Sequence, residues 1–307
     1  MARKLRVEYP GAIYHVMNRG DRREPLFKDD LDRRRFVETL AEACAKTAWQ
    51  THAYCLMENH FHLVIETPLA NLVAGMKWFL GTYTSRFNRR HKLFGHLFSG
   101  RYKALLVDGS GHGYLRTVCD YVHLNPVRAK LLTDQQPLRS YPWSSYGHYL
   151  QAPAKRPSWL RVERLLGEMG IPKDSAAGRR QFELGMEERR QRDEPGQWKS
   201  VERGWCMGDG EFRQELLEQM EPKFGRHHGG PERQETAAAR AERMLAEELK
   251  QRGWSSGQLA GRRKGDLEKV KIARRLRKET TMTLDWIAQR LNMGAAGYAA
   301  QCLRQTR

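Results

Sequence analysis

The sequence predicts an α+β protein: a ferredoxin-like split βαβ domain, with an antiparallel sheet and helices on one face, followed by an all-helical C-terminal extension. Two observations carry this. Strand-forming runs near 12–19, 50–57, 60–66 and 101–107 alternate with two amphipathic helical stretches in the order β-α-β-β-α-β, and a further helix follows. Beyond residue 158 only helical periodicities recur, broken by Gly and Pro. The expected units are 1–150 (α+β domain), 151–230 (helical extension and linker) and 231–307 (helical domain with a helix-turn-helix).

The first strand, Ala12 to Arg19, is rich in strand formers, follows Pro10-Gly11 and ends at Gly20-Asp21. Asp29 or Asp30 can cap a helix whose apolar positions Leu31, Phe36, Val37, Leu40 and Cys44 have helical spacing. Strand two covers Gln50 to Met57, and strand three carries His60 and His62 to Glu66, where Thr67-Pro68 stops it. Leu72, Met76, Phe79, Leu80, Tyr83 and Phe87 then mark an amphipathic helix with a basic far face. A fourth strand, Arg101 to Val107, places Arg101, Lys103 and Leu105 on one side. The helix from Tyr114 is expected to close at Asn125, because the residue before a proline, here Pro126, is pushed out of the helical region. In this plan one sheet face stays open for a ligand.

Farther on, Phe224 to Pro231 is the clearest linker; its His227-His228 pair reads as solvated. The segment 282–303 has the form of a helix-turn-helix, with a capped helix from Leu284 to Leu291, a turn containing Gly294 and a second helix from Ala295. Generic helical hairpins share that pattern.

The 54 Lys and Arg outnumber the 36 Asp and Glu, for a formal charge of +18. Such a surplus favours a polyanionic partner, since cationic side chains on phosphates release counterions. No apolar run approaches the roughly 20 residues that span a bilayer, and the N-terminus leads into no signal-peptide core. A cytoplasmic, nucleoid-associated protein is expected. Five cysteines, none in a C-x-x-C pair, argue against a disulfide scaffold or zinc ribbon and for reduced, mostly buried thiols.

Two side chains two apart on a strand share a face, so His60 and His62 can grip one divalent metal ion. One could equally satisfy a local hydrogen bond while the other is surface. Tyr121 and Asn125 lie one helical turn apart on a helix expected to pack beside the same sheet, which would bring the Asn125 amide oxygen toward such a metal. The plain reading of Tyr121 is a core aromatic with a bonded hydroxyl. Beside a metal it suits phosphodiester transesterification, in which a phenolate attacks phosphorus.

His60-Phe61-His62 after Met57-Glu58-Asn59, together with Tyr121-Val122-His123-Leu124-Asn125-Pro126-Val127-Arg128-Ala129, resembles the single-tyrosine HUH transposases (IS200-like), and most of all the REP-associated tyrosine transposases. Supporting pieces are Tyr14 to Gly20, Gly100 to Lys103 and Tyr141 to Tyr146, so the resemblance spans about residues 5–150. It implies Tyr121 as nucleophile forming a 5′-phosphotyrosine, and His60 and His62 as ligands of Mg2+ or Mn2+. Asn125 stands where mobile relatives usually carry glutamine, as a third ligand. It further implies single-stranded hairpin DNA as substrate, with Asn18, Arg19, Arg101, Lys103 and Arg128 as candidates for holding it. Monomer and homodimer are both compatible. The alternative is a non-catalytic DNA-binding regulator of repetitive palindromic elements; a relaxase-type or replication-initiator nickase would share the chemistry.

Overall fold

The computed structural model describes residues 7–192, 198–220 and 237–305. The expected linker at 224–231, with His227-His228, lies outside the described residues. The elements in order are β1 (Ala12–Arg19), α1 (Asp30–Thr47), β2 (Gln50–Leu56), β3 (His60–Thr67), α2 (Leu72–His91), β4 (Lys103–Val107), α3 (Tyr114–His123), α4 (Asn125–Arg128), α5 (Tyr146–Tyr149), α6 (Glu163–Glu168), α7 (Ala176–Gln191), α8 (Lys199–Arg203), β5 (Cys206–Met207), α9 (Gly210–Met220), α10 (Ala237–Arg252), α11 (Ser256–Gly261), α12 (Leu267–Glu279), α13 (Leu284–Arg290) and α14 (Ala296–Gln305).

The sheet order is β2-β3-β1-β4-β5. Its first four strands have the antiparallel split βαβ arrangement that the pattern predicts, with β3 and β4 flanking β1. Strand alternation sorts the side chains. Tyr14, Val16, Phe61, Leu63 and Ile65 pack under α1 and α2 with Phe36, Leu40, Met76 and Phe79. Ile13, Val64, Leu105 and Val107 face the other way.

That second face is not open. Leu115, Val118 and Val122 of α3 pack on it, together with Leu165 of α6 and Phe182 of α7. The expectation of helices on one face is corrected by the composition of α3, whose Leu115, Val118, Cys119 and Val122 are all fully buried: a helix with that apolar a stripe needs a surface to cover it. The segment after residue 150 shares this core. A fifth strand, unforeseen, pairs parallel with β4 through Leu106 and Val107.

Local chemistry explains the boundaries. Asp29 caps α1 by accepting from the Asp32 amide at 3.1 Å. Gly20 ends β1 where a Cβ would stand 2.0 Å from the Glu24 carbonyl oxygen, which only glycine tolerates. β4 begins at Lys103, so Arg101 lies in the preceding bend, after Gly100 at φ +73°, and not on a strand face as expected. Pro126 does not end the helical path either. Leu124 keeps αR angles, and Pro126 sits in the first turn of α4, where its missing N–H is no loss. Among the described residues no cysteine forms a disulfide, and Cys44, Cys55 and Cys119 are buried.

A third core joins α10, α12, α13 and α14 through Leu245, Ile272, Ile287, Leu291 and Ala299. Thr283 caps α13 through the Trp286 amide. No described helix is long and apolar enough to cross a membrane.

Candidate active site

The alternation of β3 turns His60 and His62 toward α3, away from the face that Phe61 and Leu63 occupy. Their ring centroids are 5.1 Å apart. From α3, Tyr121 brings its ring to 5.5 Å from that of His62. The structure therefore gathers Tyr121, His60 and His62, which the sequence separates by some sixty positions. Asn125 is buried one turn past Tyr121, at the start of α4.

His15 completes the group. It faces the same side of β1 as Ile13, its Nε2 lies 2.9 Å from Nδ1 of His62, and its ring is 5.5 Å from Tyr121. Sequence reading treated His15 only as part of a motif. Its parity with Ile13 gave the face, whereas its meeting with His62 depends on the β1–β3 register. Trp198, 5.8 Å ring to ring from Tyr121, had no local signal at all.

Whether imidazoles fit a metal depends on which nitrogen is bare. Asn59 donates from Nδ2 to the Arg23 carbonyl at 3.2 Å, which turns its Oδ1 to His60 Nδ1 at 2.8 Å. An amide oxygen only accepts, so His60 carries its proton on Nδ1 and leaves Nε2 as a lone pair. His62 is likewise held by Nδ1, through His15. Burial also keeps the rings neutral. Desolvation, assisted by Arg19, lowers the pKa of His60 to about 4; desolvation and Arg128 lower that of His15 to about 4; burial, then His15 and His60, pushes that of His62 well down. A neutral imidazole with a bare nitrogen, as at His60 Nε2, is what a divalent cation requires. Among the described residues no cluster of three or more His, Cys, Asp or Glu could hold a metal, so a cation here would need oxygens from Asn125, DNA or water besides the two rings.

Tyr121 is 7% exposed. Burial raises its pKa, and the Arg128 guanidinium opposes that rise. Arg128 thus covers the ring of Tyr121 instead of lying on the open surface. Of the other residues expected at DNA, Arg19, Arg101 and Lys103 are exposed near the His60 end of the sheet, with Arg19 opposite His60 and Lys103 opposite Met17 in register. Asn18 is buried, its amide joined to Gly100 O (3.4 Å) and Arg19 N (2.9 Å).

Residues 8–125 match the family model described as "Transposase IS200 like". Over these residues the chain is similar to that family. The matched segment runs from β1 to the Asn125 that opens α4, so it contains His15, His60, His62 and Tyr121 together. Among solved structures, the chain is similar to a REP-associated tyrosine transposase bound to a REP hairpin, at 13% identity and a TM-score of 0.41, over 52% of this chain and 91% of that one. No curated protein gives a match.

Proposed function

We propose that the domain is a metal-dependent single-strand DNA endonuclease and strand transferase acting on hairpin-forming DNA. Tyr121 Oη gives up its proton to solvent and attacks phosphorus, the P–O3′ bond breaks, the 3′ oxygen takes a proton from solvent and leaves as a hydroxyl, and the 5′ phosphate stays on the tyrosine. The supporting observation is the meeting of a buried tyrosine with two neutral imidazoles on one sheet face.

His60 and His62 would hold Mg2+ or Mn2+, with Asn125 beside them. When bound, that ion supplies Lewis-acid polarisation of a phosphoryl oxygen. The protein's own side chains do the rest. Arg128, 3.9 Å from the Tyr121 ring centroid, favours the phenolate. Arg19, Arg101 and Lys103 offer exposed cations to DNA phosphates beside the histidines. The motif resemblance supports a hairpin substrate in a bacterial nucleoid setting, and both monomer and homodimer fit.

The test is incubation with hairpin-bearing single strands and Mn2+. A covalent 5′-phosphotyrosyl adduct that disappears in Tyr121→Phe is expected. Binding to cognate DNA with no adduct would instead favour the non-catalytic regulator.

The C-terminal helices support a second DNA contact. Residues 237–305 hold fifteen Lys and Arg against seven Asp and Glu. Lys264 lies by the α13–α14 turn, 3.4 Å from where a Gly294 Cβ would stand, and Tyr298 of α14 is exposed. In this reading α14 enters duplex DNA as the second helix of a helix-turn-helix. Lys264→Glu should weaken duplex binding and its salt dependence while leaving hairpin cleavage unchanged, as read by fluorescence anisotropy.

A further inference from the structure

We infer that His15 is a positioning residue that sets the tautomer of His62, serving as the hydrogen-bond acceptor that leaves His62 Nε2 bare for a divalent cation. The inference rests on the metal reading above and extends it to a side chain outside the ligand set.

The argument is one of proton counting. His15 Nε2 and His62 Nδ1 are 2.9 Å apart, and both residues are buried, at 3% and 2% exposure. Two N–H groups cannot point at each other across that distance, and two bare nitrogens would forgo the bond, so a single proton lies between the rings. If it belongs to His15, His62 accepts on Nδ1 and must carry its own proton on Nε2, which blocks that atom as a ligand. If it belongs to His62, Nε2 is a lone pair directed away from His15. Only the second arrangement is compatible with a cation on His62. The same logic already operates at His60, where the Asn59 amide oxygen holds the Nδ1 proton. The two candidate ligands are thus oriented by two different acceptors, one from the β2–β3 turn and one from β1.

Among the described residues, His15 is the hydrogen-bond partner recorded for His62 Nδ1. The neighbouring rings are His60 and Tyr121, at 5.1 and 5.5 Å centroid to centroid, and the strand residues opposite are Met17 and Cys55. Loss of the acceptor strands a buried N–H. Such outer partners of metal-binding histidines are worth roughly 10- to 100-fold in metal affinity.

Mn2+ affinity, read by electron paramagnetic resonance on the full chain, tests the inference with His15→Leu and His15→Gln. Leucine offers no acceptor, whereas the glutamine side-chain oxygen can reach the position of Nε2. The expected result is a loss of roughly 10-fold or more in His15→Leu and recovery to within about threefold of wild type in His15→Gln. In parallel, imidazole 15N spectra of the Mg2+-loaded wild type should show His62 protonated on Nδ1. A folded His15→Leu variant with wild-type affinity, or a Mg2+-loaded His62 protonated on Nε2, overturns the role of His15. Wild-type protein that binds no Mn2+ overturns the metal reading itself, and the assignment of His15 falls with it. Should His15→Leu fail to fold, the 15N spectrum and the glutamine variant decide.

Discussion

Arg128 lays its guanidinium over the ring of Tyr121, 3.9 Å from the centroid, and donates Nη2 to the Tyr121 backbone carbonyl at 3.0 Å. The same group lies 5.3 Å from the ring of Trp198. One cation therefore locks the turn that follows α3 and lowers the cost of a phenolate in a buried setting. Arg128→Met should slow adduct formation by about tenfold or more at neutral pH, equivalent to about 1.4 kcal/mol or more in the barrier. Its pH–rate profile should move to higher pH, because the phenol loses its stabilising charge. Quenched-flow gels across pH 6–10 measure both; an unshifted profile would show that Arg128 only packs.

His60→Ala and His62→Ala each remove one of two imidazoles from a site with no third strong ligand among the described residues. Cleavage should fall by roughly 10³-fold or more, about 4 kcal/mol of transition-state stabilisation. Calorimetric Mn2+ titration should lose its binding isotherm in both. Thermal unfolding without metal should change little for His60→Ala, since His60 is only half-buried.

His123 makes the stability of the domain pH-dependent. It is buried against Tyr149 and Phe182, with Nε2 2.9 Å from Ser145 Oγ, and burial, helped by Arg189, lowers its pKa from 6.5 to about 3. A histidine with a depressed folded-state pKa contributes stability that is complete above about pH 6.5 and is lost as pH falls toward 3. Between pH 7.5 and 5 this group alone should remove about 2 kcal/mol. Urea unfolding at the two pH values should show a drop smaller by about that amount in His123→Gln; equal drops would refute the assignment.

Lys46, near the end of α1, donates its ammonium to the carbonyls of Arg277, Lys278 (2.9 Å) and Thr280 (3.2 Å), closing the C-terminus of α12. Helix ends leave such carbonyls without intrahelical partners, and a cation there also meets the helix dipole. Lys46→Met removes the ammonium, which also lies 5.1 Å from the Trp78 ring centroid, and leaves the acceptors unmet. It should cost about 1–3 kcal/mol and speed amide hydrogen exchange near residue 280, with the β-sheet amides unaffected.

Much of this architecture was legible because it is periodic. The 2.0 period of His60-Phe61-His62 gave the shared face directly, and the pair Asp29-Asp30 announced the start of α1, with Asp29 the cap. What local pattern could not carry was pairing across the chain. The second helical layer depends on α3 meeting α6 and α7, and β5 consists of two residues whose only strand-like property is their position beside Leu106 and Val107. The face of His15 was readable from its parity with Ile13, but its meeting with His62 came through register, and Trp198 came through tertiary folding with no local signal. α3 does end short of Pro126, at His123; what the proline rule leaves out is the new turn that starts one residue before the proline.

The outer edge of β2 is covered by segments that come much later in the chain. Ser145 and Tyr54 exchange backbone and side-chain bonds, Leu56 N reaches Trp143 O at 2.9 Å, and Thr51 donates its amide to Trp159 O at 3.0 Å and accepts from Arg161 N at 2.8 Å. A fragment cut at residue 125, where the family match ends, would therefore expose a row of unpaired strand amides and carbonyls, a ready template for aggregation. The smallest piece of this domain expected to stay soluble runs at least through Arg161, so the unit that folds is longer than the unit that carries the motif.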